Sequence, residues 1–534
     1  MKIDFPIGRR ELLGAGASAA LFGSAACKGA PRQPVSILDF LPSSEHRRIA
    51  EGRSSFDCGA GLERAIAAAI QADSLVWLPR GEYQLSARHA LTHADTFPCL
   101  AAVRMVSGMR LHGEAGALLR MMPGFSSDQK PRAMAMFATH TPIADIEFKG
   151  LILDMNGRNN PISPERAQGI YNRLPQAHIF VSGGSGQAAA RVDRARITDS
   201  VFRDSNGVSC IVMGQTADSR AVLGRDWTLE RCRFLDNGMD TDDHSSIFAY
   251  AEGVKTTGCT FANVAPFGPT GVNTAYEVHG SRQIISDCKF VNMIRGIWVA
   301  NNYTAVTAGT TIKDSEFRTV FYGVDFYHDR SSAKDIRQTT ISGNTFTFDD
   351  TAIRSVPGLN FKVAVQIASE FAQQDVRISR NSVNKSGSIV TSAFVVITGG
   401  ASGKARHDAI VAADNQGRGL TFGSFIRTTA QAGIGRVSIV RNTWTGLSPS
   451  STMAIAAGDA VEHTGTLQPI TMLTLGGGSV QASDRTRAVK PVYINAFVRY
   501  LVLDPIRTQG TVPTLELGGA ARLEAVERRA KSGH

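Results

Sequence analysis

Between residues 197 and 444 the chain writes one six-residue phrase eight times, and few architectures can follow from that. The copies are ITDSVF ending at Phe202, LERCRF at Phe234, TTGCTF at Phe261, ISDCKF at Phe290, IKDSEF at Phe317, ISGNTF at Phe346, ISRNSV at Val383 and IVRNTW at Trp444. Each opens on an apolar residue, Thr256 excepted, carries a small polar or thiol residue three places on, and closes on a large apolar one. The spacings of 32, 27, 29, 27, 29, 37 and 61 residues suit one turn each, with two turns in the last and a degenerate copy, IVAADNQ at 410–416, between them. A fixed period of this size means stacked supersecondary units. Apolar alternation over five or six positions, flanked by Gly, Asn and Asp, argues for strands and not for paired helices.

A strand phrase recurring once per turn, with Asn, Ser and Cys at one stacked position, is similar to the right-handed parallel β-helix of the pectate lyase superfamily. The resemblance covers roughly residues 56–480. It implies an all-β fold, a single-stranded solenoid closed by an N-terminal capping helix. Residues 57–72 read as that helix, with Leu62, Ala65, Ile66, Ala69 and Ile70 on one face. Residues 75–85 then alternate around a Pro-Arg-Gly turn, which resembles the family's opening strand. A cap is needed because an open coil end exposes unpaired strand edges.

The ends read differently. Two arginines, Arg9 and Arg10, precede a 15-residue apolar run at 12–26, which resembles a twin-arginine export leader and implies a periplasmic or secreted protein. The run is too short to span a bilayer. Cys27 stands where a lipid-anchored cysteine would, but Ser24 replaces the usual Leu, so cleavage without anchoring is expected. Loss of residues 1–30 removes four basic and two acidic side chains and takes the net charge from +10 to +8. Residues 31–55 read as a linker, 56–480 as the capped β-helix and 481–534 as a C-terminal extension ending in a fraying tail.

A basic chain suggests an anionic partner. Lys and Arg are scattered without a basic run or aromatic-interleaved patch, which argues against nucleic acid, and an acidic polysaccharide fits better. Cargo of this route folds in a reducing compartment, so Cys232, Cys259 and Cys288, at one ladder position on successive turns, are expected to be packed free thiols. No cysteine or histidine spacing suggests zinc. The oligomeric state is not legible.

The candidate site comes from the strands that follow the phrase. Placing Ile247 and Ala249, Tyr276 and Val278, Ile297 and Val299, Val324 and Phe326, and Val365 and Ile367 inward leaves two outward columns. One holds Phe248, Glu277, Trp298, Asp325 and Gln366, and the other Tyr250, His279, Ala300, Tyr327 and Ala368. Beyond them lie Asn301, Asn302 and Tyr303, then His328, Asp329 and Arg330. Aromatic and acidic columns on a strand wall suit a sugar chain laid across several turns.

Two chemistries compete there. For β-elimination on a uronate, His279 with Tyr327 or Tyr250 supplies base and acid, and Arg330, or the less well placed Arg295, neutralises the carboxylate. Ala300 is expected to leave room for the sugar. For hydrolysis, Glu277 and Asp325 flank Trp298 at about 9.6 Å between backbones, the upper edge for inversion. Of the pectin-hydrolysing branch's signature, only Asp242-Asp243 and Val278-His279-Gly280 have echoes. Tyr322, Asp325 and His328 resemble part of the mannuronan C5-epimerase signature, with the Pro replaced and one extra residue before the His. The lyase is the leading expectation, with hydrolase, epimerase and non-catalytic glycan-binding β-helix as alternatives. No cofactor is required; Asp242, Asp243, Glu277 and Asp325 are the residues that could hold Ca²⁺.

Overall fold

A computed structural model describes residues 33–529 apart from the segments 92–98, 125–132, 161–175, 184–187, 215–221, 239–242, 264–271, 301–306, 319–320, 327–334, 350–360, 369–371, 388–390, 400–405, 430–431, 448–454, 458–467, 483–490, 509–514 and 520. The chain winds into a right-handed parallel β-helix of three long sheets. Sheet I carries strands such as Val192–Thr198, sheet II strands such as Val201–Arg203, and sheet III strands such as Val272–Val278. Every described turn visits them in that order, and strands pair in parallel with their counterparts one turn on, apart from His89–Leu91, which pairs antiparallel with Cys99–Arg104.

The repeated phrase is a corner between two strands and not one strand. In ITDSVF, Ile197 and Thr198 end a sheet I strand, Asp199 turns the backbone at φ 53°, and Val201 and Phe202 begin the sheet II strand. The equivalent residues Arg231, Gly258, Asp287, Asp314, Gly343, Arg380, Asp414 and Arg441 all hold φ between 51° and 69°. This left-handed setting suits Gly and is tolerated by Asp.

The small polar position follows the bend and repairs the backbone bonding that the bend interrupts. Asn381 Nδ2 donates to the Ile341 carbonyl at 3.0 Å, while its Oδ1 accepts from the Asn344 amide at 2.9 Å. Asn415 does the same one turn on. In the earlier turns Cys232, Cys259 and Cys288 point their thiols at the carbonyls of Ile197, Leu229 and Thr256 at 3.4, 3.7 and 3.8 Å. The six described cysteines are free and buried, as expected of packed thiols.

The closing residues of the phrase make the core. Phe202, Phe234, Phe261, Phe290, Phe317 and Phe346 stack with centroids 4.6 to 5.2 Å apart and planes within 15°. Face-on stacking is imposed by the rung spacing of about 4.8 Å. Thr256, the one polar opening residue of the phrase, is buried 3.5 Å from the Tyr276 hydroxyl, which itself donates to Gln283 Oε1 at 3.0 Å.

Both ends differ from expectation. Residues 34–52 are no linker: Val35–Ser36 pairs with Val76–Leu78, and the helix Ser43–Ala50 buries Ile49. The capping helix Gly59–Gln71 buries Leu62, Ala65, Ile66 and Ala69, whereas Ile70 is 37% exposed and outside the packed face. The opening bond is supplied by Asp57 Oδ1, which accepts from the Gly59 amide at 2.9 Å. At the far end the stack does not stop at 480. Val492–Ile494, Phe497–Leu503, Ile506–Thr508, Leu515–Leu517 and Arg522–Arg528 each add to it in parallel. The last described strand carries Arg522, Glu524, Glu527 and Arg528. No described helix is long and apolar enough to cross a membrane.

Candidate functional site

Sheet III brings the first predicted column into register. Phe248 pairs with Glu277, Glu277 with Trp298, Trp298 with Asp325 and Asp325 with Gln366. The inward set, from Ile247 and Ala249 to Val365 and Ile367, lies in the main core.

Strict alternation fails at one place on each strand. Ala275 and Tyr276 are consecutive and both join the core, as do Ala364 and Val365. In the two turns between, a Cβ on Gly296 would meet Phe317 at 2.6 Å and one on Gly323 would meet Phe346 at 2.2 Å, so both backbones face inward over the phenylalanine stack. Two inward residues in a row kink the strand, so the residue before the pair faces outward beside the wall. That returns Ser245, Arg295 and Tyr322 to the wall. The kink position must be small, which gives the Gly of Tyr322-Gly323-Val324-Asp325 a structural cause. Gly280 has one too, since a Cβ there would stand 1.8 Å from the Ala251 carbonyl oxygen.

The wall side chains engage one another. Glu277 accepts from the Ser245 hydroxyl through Oε1, and its Oε2 lies 2.9 Å from His279 Nε2. The His279 ring stands 4.4 Å from Phe248, 6.0 Å from Tyr250 and 6.3 Å from Trp298. On the next rungs Arg295 Nε meets Asp325 Oδ2 at 2.7 Å, and its guanidinium carbon sits 5.0 Å from the Trp298 ring centre.

The site is consequently less open than expected. Glu277 is 6% exposed, and His279, Tyr250 and Asp325 are each 1% exposed; Trp298 and Arg295 are the half-buried members. Ala300 is fully buried and opens no room for a sugar. Arg295, expected to be poorly placed, is central, because the kink turns it onto the same side as Asp325. Tyr322 lies beside the wall but packs with Val363 and Phe361 in an apolar cluster. Asn301, Asn302, Tyr303, Tyr327, His328, Arg330 and Asp242 lie outside the described residues. His244 is interior: its Nδ1 is 2.6 Å from the Gly207 carbonyl, and burial pushes its pKa down to about 4. His178, equally interior, is pushed down to about 4 by the same cause. Among the described residues no group of three or more His, Cys, Asp or Glu could hold a metal ion.

Sequence reasoning missed Ser245 as a partner of Glu277. It also missed a cleft on sheet II, lined by Arg120, Asp154, Arg158, Arg203, Asp204 and Asp236. A signal for the cleft was present, since Asp204 and Asp236 follow Phe202 and Phe234 at the same offset in the repeat.

No family model matches the sequence, and the search of curated proteins gave no match. Solved structures of the same fold do match. A double mutant of the tailspike protein of E. coli bacteriophage HK620 superposes with a TM-score of 0.60 at 12% identity, covering 92% of this chain and 80% of that one. The tailspike protein of that phage in complex with a pentasaccharide gives a TM-score of 0.57 at 12% identity, covering 91% and 80%. At that identity the likeness establishes a shared parallel β-helix.

Proposed function

We propose that this chain is an enzyme that lays an acidic polysaccharide along the sheet III wall and cleaves it beside Trp298. The observation that carries the reading is the ladder Glu277, Trp298, Asp325, one indole with a carboxylate on the rung to either side. Carboxylates two rungs apart, about 9.6 Å at the backbone, suit an inverting hydrolysis in which one protonates the leaving oxygen and the other activates water. Glu277, bonded to Ser245 and His279, is the proton donor, and Asp325 is the base. Both acids are covered, so the substrate itself must open the site. A uronate carboxylate does this by taking the Arg295 guanidinium bidentately and drawing it from Asp325. The basic net charge of +10 and the bound pentasaccharide of the HK620 tailspike support a glycan ligand.

A second reading is β-elimination in the manner of the pectate lyase superfamily. It is favoured by the 2.9 Å contact between Glu277 and His279, since a carboxylate that orients an imidazole makes a general base. His279 then takes the C5 proton, Tyr250 or Tyr327 protonates O4, and Arg295 or Arg330 neutralises the uronate. In either reading the twin-arginine leader carries the protein out of the cytoplasm.

Incubation with a panel of uronic-acid polymers separates the two. New reducing ends without ultraviolet absorbance of unsaturated ends support hydrolysis, and both together support elimination. Neither signal on any polymer removes both readings and leaves epimerisation or simple binding.

A further inference from the structure

We infer that the protein carries a second saccharide site, a cleft at the corner of sheets II and III that binds a neutral sugar unit without cleaving it. The cleft has a volume of about 420 Å³, within the range of about 300–1,000 Å³ usual for small-molecule sites. Its floor is an outward column on sheet II in which Arg120, Asp154, Arg203 and Leu235 occupy successive rungs. Asp154 is 3% exposed and fixed from three sides. Its Oδ2 accepts from Arg203 Nε at 2.9 Å and Arg120 Nη2 at 3.1 Å, and its Oδ1 accepts from the Asn156 amide at 2.7 Å. Arg120 is held in turn by Glu82 at 2.9 Å. This floor is rigid before any ligand arrives, which lowers the ordering cost of binding.

The lip is formed by Asp204 and Asp236, one residue past Arg203 and Leu235 on neighbouring rungs, both in the left-handed backbone setting at φ 56° and 52°. Against Asp204 lies Gly157, whose amide donates to the Asp204 carbonyl at 2.9 Å and where a Cβ would stand 2.6 Å from that oxygen. The adjacent Arg158 is exposed. Burial, and then the Asp154 charge, raise the carboxyl pKa of Asp204.

The chemistry of the ligand follows from the charge balance. Asp154, Asp204 and Asp236 line the cleft with Arg120, Arg158 and Arg203, and Glu82 behind Arg120 adds a fourth carboxylate against the three guanidiniums. Such a cleft gives an acidic sugar no net attraction, but it offers acceptors and donors to hydroxyl groups, with Leu235 for the apolar face of a sugar ring. Asp236 shares a turn with Phe248, and Trp298 lies two turns further, about 9.6 Å along the axis. One glycan chain can therefore run from cleft to wall, neutral at one end and acidic at the other. The cleft stands on its own geometry, and only that link rests on the function proposed above.

The test is titration calorimetry of the intact protein with maltohexaose, mannohexaose, galactohexaose and a rhamnose hexamer, and with a hexauronate as the acidic control. Glycine keeps the left-handed backbone while deleting the carboxylate, so Asp204→Gly and Asp236→Gly are the informative variants. Arg158→Ala, at an exposed side chain, is a third that does not threaten folding. The expected result is binding of at least one neutral oligosaccharide, weakened at least tenfold by each of the three. The inference is overturned if no neutral oligosaccharide binds, if only the hexauronate does, or if Arg158→Ala and the glycine variants bind as the wild type does.

Discussion

Replacing Arg295 by Met isolates the contact on which the covered site depends. Its side chain is 13% exposed and that of Asp325 is 2% exposed, with 2.7 Å between Nε and Oδ2, so little solvent screens the pair. Removing one partner of such a pair leaves a buried charge alone, at a cost of about 3–5 kcal/mol. Lost contact with the Trp298 ring contributes about 0.5–2 kcal/mol of that. Removing both charges, as in Arg295→Met with Asp325→Leu, should be nearly neutral, because the desolvation cost disappears with the attraction. A double-mutant cycle should then show a coupling of at least about 3 kcal/mol, at or above the upper end of the range for residues in contact. Equilibrium unfolding in urea reads it as a midpoint shift at constant slope. If Arg295→Met costs less than about 1 kcal/mol, the range of exposed pairs, and the two changes add independently, Arg295 does not cover Asp325 and the opening step is wrong.

Three further outcomes follow from the same geometry. Phe261→Ala removes a ring stacked at 4.7 and 5.2 Å on its two neighbours and should destabilise by about 3–5 kcal/mol, read by thermal or urea unfolding; a loss below about 1 kcal/mol would mean that the stack collapses around the gap. Acid should weaken the fold before most carboxylates protonate, because His178 and His244 hold folded pKa values of about 4 against about 6.5 unfolded. A lowered folded pKa means that the unfolded chain binds more protons between those values, so stability is whole above about pH 6.5 and falls as pH drops towards 4; equal urea midpoints at pH 7.5 and 4.5 would refute this. Trp298→Ala should raise KM for a cleaved polymer at least tenfold while shifting the melting temperature little, and an unchanged KM would remove the indole from the substrate path.

The parts of the fold legible in the sequence are those where one turn repeats the chemistry of the last. The phenylalanine stack, the Asn and Cys ladder and the Phe248 to Gln366 column all rest on residue types that recur at a fixed offset. The corner inside each phrase was hidden because Asp, Arg and Gly alternate at the bend, and only their shared backbone angle unites them. The kink on sheet III was hidden for a related reason. A strict two-residue period places Arg295 inward, and the break shows only when Gly296 and Gly323 are seen above Phe317 and Phe346. Ile70 was misplaced because helical spacing alone does not say where the packed face ends. Strands over 492–517 are legible, but their place in the stack is not, because Phe497–Leu503 and Arg522–Arg528 pair through backbone groups while carrying Arg, Glu and Tyr outward, so no repeated side-chain phrase marks them. Exposure was the least legible property: Glu277 and His279 read as reactive and open, yet each is the other's partner.

The most direct test is the rate of reducing-end release from a uronic-acid polymer by the wild type, Glu277→Gln and Asp325→Asn, with melting temperatures measured alongside. The account predicts measurable release by the wild type and a loss of about 10²–10⁴-fold in each variant, the range for removing a general acid or base, in proteins that remain folded. Folded variants that cleave at the wild-type rate would contradict it.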